Sequence, residues 1–221
     1  MRIGIIGAGN IGGNLTRRLR SLGHEVKVAN SRGPATLADL ATETGALAVE
    51  VREAVKDVEI VIVTIPQKNI PDLPSDLFAQ VPSNVVVIDT GNYYPRERDG
   101  AIAAIEDGMP ESRWVSEHLG RPVVKVFNGI YAQHLLDRYQ PKGTPGRIAL
   151  PVAGDDPTAK ATVLALVDEL GFDPVDAGEL KDSWRQQPGT PVYGADLDAE
   201  GVRRALLEAP RERPENFKAE R

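Results

Sequence analysis

Short β-branched runs alternate with stretches of helical period along the chain. Residues 2–6, 25–30, 59–65, 84–89 and 123–127 form such runs, with shorter or later ones at 46–49, 148–154 and 174–176. The runs at 59–65 and 84–89 are apolar on successive positions, which suits strands covered by helices on both faces. Residues 10–22 carry Ile11, Leu15, Leu19 and Leu22 on one helical face, and Gly23 is a natural stop. Thr36 with Asp39 makes a capping-box pattern for a helix at 37–43. A helical turn is expected at 52–56, and helices at 99–107, 112–119, 130–139, 157–170 and 200–208, with a Pro/Gly loop at 141–146. This β–α alternation predicts an α/β fold: a Rossmann-like, doubly wound, mainly parallel sheet with a short C-terminal extension. Residues 1–177 would form the main domain and 178–208 the extension. Residues 209–221 hold seven charges and two prolines in thirteen positions, which reads as a flexible tail.

Composition narrows the function. At 221 residues, 41% hydrophobic and 26% charged, the chain buries enough surface to fold without a staple. Cysteine is absent, so disulfides, thiolate nucleophiles and zinc–thiolate or iron–sulfur sites are excluded. The formal net charge is −6, which argues against a general nucleic-acid or anionic-membrane binder. No run approaches the roughly 20 apolar residues that cross a bilayer, and the N-terminal MRIGIIGAG is too short an apolar run for a signal peptide. A cytoplasmic protein is the expectation. The three histidines show no metal-ligand spacing, so no metal is expected.

The strongest chemical signal is Gly7-Ala8-Gly9-Asn10-Ile11-Gly12. It follows a predicted strand and opens a predicted helix, the context in which G-x-G-x-x-G binds a dinucleotide. Gly7 permits the tight turn, Gly9 lets a pyrophosphate approach the backbone, and Gly12 lets helix and strand pack closely. The pyrophosphate would meet free N–H groups at the positive helix end. The bland alternative is a glycine-rich turn with no ligand.

Eighteen to twenty residues after Gly12 come Asn30, Ser31 and Arg32. An NAD enzyme usually places Asp or Glu at this strand end for the ribose 2′-hydroxyl. Here Ser31 offers a hydrogen bond and Arg32 a charge-assisted fork to a 2′-phosphate, which favours NADP(H) over NAD(H). Otherwise the loop carries a merely solvated Arg. Open α/β sheets bind ligands at the carboxyl ends of their strands. Thr64-Ile65-Pro66, Asp89-Thr90-Gly91-Asn92 and Phe127-Asn128-Gly129 fall there, as a nicotinamide edge or as ordinary strand caps.

No acid/base residue stands out, and the catalytic set is left unassigned. Lys181 lies in a weakly patterned loop, His24 reads as a cap and His118 as solvated. His134, near Asn128, is the best acid/base candidate of the three, and the Tyr93-Tyr94 pair is the other place to look. Trp114 and Trp184 suit packing or stacking on a flat ligand. Hydride transfer between two prepared cofactor rings needs mainly alignment. The alternatives are an NADPH-dependent reductase of a small carbonyl or imine, and a non-catalytic NADPH-sensing module.

The run IGIIGAGNIGGNLTRRLRSLGHEVKVANSRG at 3–33, VKVFN at 124–128, PVAGDDPTAK at 151–160 and GFDPVDAGEL at 171–180 resemble the F420-dependent NADP oxidoreductase family. The resemblance covers roughly residues 2–180; the polar, Pro/Gly-broken end departs from the apolar, dimer-packing helices usual there. It implies a compact Rossmann fold, NADP(H) as cofactor, coenzyme F420 or a flavin as co-substrate, and a possible homodimer. By position, Gly7, Gly9, Asn10, Ile11 and Gly12 would hold the pyrophosphate, and Ser31 and Arg32 the 2′-phosphate. Thr64, Ile65, Pro66 and Asn128 would border the nicotinamide.

Overall fold

A computed structural model describes residues 1–220. Six strands, β1 (Arg2–Ile6), β2 (Glu25–Ala29), β3 (Leu47–Ala48), β4 (Ile60–Val63), β5 (Val86–Asp89) and β6 (Val124–Lys125), form one all-parallel sheet in the order β3-β2-β1-β4-β5-β6. The order reverses at β1, whose Ile5 faces Val28 of β2 on one side and Ile62 of β4 on the other. This is the Rossmann-like, doubly wound architecture, and the crevice where the order reverses is where such sheets take ligands.

The period-2 alternation explains the two-sided burial. Ile3, Ile5, Val26, Val28, Ile60, Ile62, Val86 and Ile88 pack on one face with Leu15 and Leu19 of α1 (Asn10–Ser21) and Val163, Leu166 and Val167 of α7 (Pro157–Glu169). Ile6, Val61, Val63 and Val87 pack on the other, with Ala54 of α3 (Val51–Ala54), Ile105 of α4 (Ala103–Glu106) and Trp114 and Val115 of α5 (Glu111–Leu119). Asp156 starts α7 by accepting from the amides of Thr158 (2.7 Å) and Ala159 (3.1 Å), the usual way to satisfy a helix's free N–H groups. A second, two-stranded parallel sheet joins β7 (Ala149–Val152) to β8 (Asp173–Asp176). It abuts the main sheet through an antiparallel bridge between Lys125 and Ala153. Helix α8 (Ala199–Glu208) covers it with Val202, Ala205 and Leu206.

Four expectations need correction. The helix expected at 130–139 is reduced to the single turn α6 (His134–Asp137), which buries Leu135, while Ile130 enters the core from the loop before it. The run at 123–127 pairs only over Val124–Lys125, because Phe127 turns out of the strand at φ 64°. Thr36 does not cap α2 (Ala38–Thr44), which lacks a side-chain cap; its hydroxyl donates to the Gly33 carbonyl at 2.8 Å and meets Asn30 instead. The presumed flexible tail is packed. Arg213 pairs with the buried Glu111 at 2.8 Å, Arg96 donates to the carbonyls of Lys218 and Glu215, and a 3-10 turn forms at Glu215–Phe217. Arg213 finds its partner on α5 and Lys218 finds Glu212 and Glu215 within the segment, which charge density alone does not reveal. Arg221 lies outside the described residues.

Candidate dinucleotide and acceptor site

The three motif glycines occupy three different environments. Gly7 turns the chain at φ 107°, and a Cβ there would lie 2.2 Å from the Thr64 carbonyl oxygen. A Cβ on Gly12 would fall 1.9 Å from the Gly7 carbonyl oxygen and 2.7 Å from Cγ2 of Thr64. Both are closed by β1, α1 and the end of β4. Gly9 is the opposite: exposed, and with no atom within 4 Å of a built Cβ. It is the N-cap of α1 and no side chain caps it, so the first N–H groups of α1 are free to meet an anion. Asn10 and Ile11 form the first turn of that helix.

At the end of β2, Asn30 shapes the loop. Its Oδ1 accepts from the Arg32 amide at 2.9 Å and its Nδ2 donates to Thr36 Oγ1 at 2.9 Å. Ser31 and Arg32 are exposed. Gly9, Asn10, Arg17, Arg32, Thr36 and Glu43 help to line one open cavity of about 340 Å³. Of the two acidic residues that line it, Asp39 and Glu43, Glu43 is neutralised: Arg17 forks onto it with two contacts of 2.7 Å. That fork holds the Glu43 carboxyl below its usual range.

The third group splits in two. Thr64 and Ile65 abut Gly7 and Gly12, with Pro66 half-buried beside them. Asn128 is buried further along the edge, in a network of amides. It donates to Asn92 Oδ1 (3.2 Å) and to the Gln186 carbonyl (2.6 Å), and accepts from Gln186 Nε2 (3.1 Å). Asn92 donates to the Asn128 carbonyl at 2.8 Å and lies 3.5 Å from the Tyr193 hydroxyl, which also meets the Tyr94 hydroxyl. Gln186 and Tyr193 escaped sequence reading as site residues because they come from the Pro/Gly-broken stretch after β8, 58 residues from Asn128 and 101 from Asn92 respectively. Burial and the contact with Tyr94 push the Tyr193 hydroxyl well above the ordinary tyrosine range. Tyr93 is pushed up to about 12, chiefly by burial, and donates to Glu106.

The remaining candidates take structural positions. His24 is buried, 3.1 Å from the N-terminal amine and 3.3 Å from Glu169. His118 stacks on Trp114 at 3.8 Å and meets its carbonyl. His134 pairs with Asp196 at 2.7 Å and lies edge-on to Tyr131 at 5.2 Å. Lys181 pairs with Glu179 at the surface. Among the described residues no cluster of three His, Cys, Asp or Glu could hold a metal ion, and no helix is long and apolar enough to cross a membrane.

Fold and glycine turn together define a protein of the Rossmann class. Residues 2–93 match the family described as NADP oxidoreductase, coenzyme F420-dependent. The chain is also 32% identical to the Sinorhizobium meliloti protein SMa0349, with 89% of this chain and 94% of that one covered at a TM-score of 0.75. It belongs to this family of NADP oxidoreductases. A putative F420-dependent NADP-reductase from Arthrobacter sp. FB24 shares the fold at 21% identity and TM-score 0.64, over 83% of this chain and 87% of that one. The Escherichia coli (strain K12) protein YjhV is 49% identical over 66 residues, 30% of this chain and 48% of that protein. This chain therefore spans about half the length of that curated relative.

Proposed function

We propose that the protein binds NADP(H) along the Gly7–Gly12 turn and the Asn30–Arg32 loop and transfers a hydride to or from a flat, flavin-like ring such as coenzyme F420. The observation that carries this reading is the contrast among the three glycines. Two are closed by the fold itself, and the third stands open over uncapped helix N–H groups. Thr64, Ile65, Pro66 and Asn128 would border the nicotinamide, which when bound supplies the hydride. The chain's contribution is alignment: a rigid turn, a loop set by Asn30, and an edge fixed by side-chain amides.

Reduction of a small carbonyl or imine is a second reading, favoured by the Tyr94–Tyr193 hydroxyl contact. An exposed apolar patch at 184–193 would favour the sensing module; among the described residues the exposed large hydrophobics are Met1, Leu47, Tyr131, Tyr139 and Leu207, outside that stretch.

Calorimetric titration with NADPH and NADH tests the cofactor half of the proposal. Repeating the NADPH titration with F420, FMN or riboflavin present tests the acceptor half. Cooperative uptake of one ring supports ring-to-ring transfer; NADPH binding with no ring uptake moves the reading to the small-substrate reductase. The Arg32→Ala variant should bind NADPH about 10- to 100-fold more weakly, the worth of one charge-assisted hydrogen bond. NADH affinity should stay within about threefold, since NADH has no phosphate there. Equal losses for the two nucleotides would refute the 2′-phosphate assignment.

A further inference from the structure

Hydride transfer to a polarised double bond leaves a pair of electrons on the acceptor's heteroatom, and a proton must neutralise it. The carboxyl edge of the sheet holds one arrangement suited to that task. The Tyr193 oxygen has two neighbours on one side of it: the Tyr94 hydroxyl and Asn92 Nδ2 at 3.5 Å. Asn92 is anchored to the Asn128 carbonyl at 2.8 Å, so this oxygen is tied to the ends of both β5 and β6. The backbone of the tyrosine segment is tied there too, because the Gly194 amide donates to the Gly129 carbonyl at 2.9 Å. Both rings are half-buried and retain access to solvent.

We propose that Tyr193 is the proton donor of the reaction, with Tyr94 and Asn92 as the groups that hold its oxygen and resupply its proton. This deepens the oxidoreductase reading and rests on it. Bound NADPH would supply a hydride to one end of the acceptor's π system, and the displaced electron pair would settle on a heteroatom of that system. The O–H bond of Tyr193 breaks and its proton goes to that atom. The phenolate left behind accepts hydrogen bonds from Tyr94 and Asn92, then takes the Tyr94 proton, which solvent replaces. In the opposite direction the same pair removes the proton. A tyrosine is protonated through the neutral range, so the donor is loaded before each turnover; burial disfavours its phenolate, and hydrogen bonds from Tyr94 and Asn92 would offset that cost. The other ionisable groups facing the pair are Arg98, 5.1 Å over the Tyr94 ring, the buried Glu111, and Tyr131.

The first test needs no acceptor. In protein labelled with ¹³Cζ-tyrosine, the resonances of Tyr94 and Tyr193 are assigned by the Tyr94→Phe and Tyr193→Phe variants. Both should shift between the NADPH and NADP⁺ complexes, and neither should respond to 2′,5′-ADP, which has no nicotinamide. The second test is single-turnover NADPH oxidation with F420, FMN and a cyclic imine. Tyr193→Phe should slow it by about 10²–10⁴-fold, the range of a lost general acid, and Tyr94→Phe less. NADPH affinity should stay within about threefold in both variants, and the solvent deuterium isotope effect of the wild type should vanish in Tyr193→Phe. NADPH binding with no shift at either tyrosine overturns this assignment and leaves the cofactor reading standing. Failure to bind NADPH at all removes both. A Tyr193→Phe variant as fast as the wild type refutes the donor role whatever the resonances do.

Discussion

Replacing Arg213 by alanine is expected to lower the unfolding free energy by about 3–5 kcal/mol at pH 8, the usual result of stripping one partner from a buried ion pair. Glu111 is fully buried. It holds Arg213 at 2.8 Å and accepts the Tyr93 amide at 3.2 Å, and Lys125 is its other source of positive potential. Burial pushes the Glu111 carboxyl above its ordinary value of 4.5, while Lys125 and Arg213 pull it back; without Arg213 it rises further. A carboxyl raised in the folded state favours the proton-bound folded form. Its contribution is therefore fully present below the unfolded value near 4.5 and is lost as pH rises through the folded value. Urea unfolding should accordingly show a smaller deficit for Arg213→Ala at pH 5.5 than at pH 8. The double variant Arg213→Ala with Glu111→Gln should recover much of the loss by leaving no charge to bury. A deficit below about 1 kcal/mol at pH 8, or one that does not change with pH, would mean that the pair does not hold the C-terminal segment.

The second large effect separates binding from folding. Valine at Gly9 should leave the melting temperature within a few degrees of the wild type and reduce affinity for both NADPH and NADH by at least about a hundredfold. The backbone there is extended, at φ −74° and ψ −161°, and a Cβ meets nothing within 4 Å, so the folded chain accepts the new side chain. The isopropyl group then fills the space over the free amides of α1. Thermal unfolding by circular dichroism and calorimetry with each nucleotide read the two halves separately. Normal binding by a folded Gly9→Val protein would show that the turn is not the phosphate site. Gly12 provides the contrast: alanine there collides with the Gly7 carbonyl, so that variant should lose stability and binding together.

The main sheet was readable because its signals are local. A strand, a glycine turn and an amphipathic helix follow one another within residues 2–22, and successive apolar positions in β4 and β5 mark strands covered on both faces. The Gly7–Gly12 turn was legible for the same reason. The acceptor edge was only half legible. Asn92 and Asn128 stand at strand ends, where chemistry is sought, but their partners Gln186 and Tyr193 come from a stretch with no periodicity. The packed C-terminal segment was misread because its charges look solvated in sequence, whereas Arg213 finds Glu111 across 102 positions. The apolar residues between 130 and 139 looked helical because a loop that drops Ile130 into the core, followed by the one-turn α6 that buries Leu135, leaves much the same spacing as a longer helix.

One small contact ties the two ends of the site together. Asn14, on α1 just beyond the glycine turn, donates at 2.8 Å to the carbonyl of Ala132, in the segment that carries Tyr131 and His134. Its own Oδ1 accepts from Arg17 at 3.2 Å, and Arg17 is the residue forked onto Glu43. Helix α1 and the segment that carries Tyr131 and His134 are thus joined by a hydrogen bond. Were the proposed nucleotide and acceptor to bind on either side of it, linkage would impose a symmetry: whatever factor the nucleotide added to the acceptor's affinity, the acceptor would add to the nucleotide's. With a favourable factor, the ligand that left first would loosen the hold on the other.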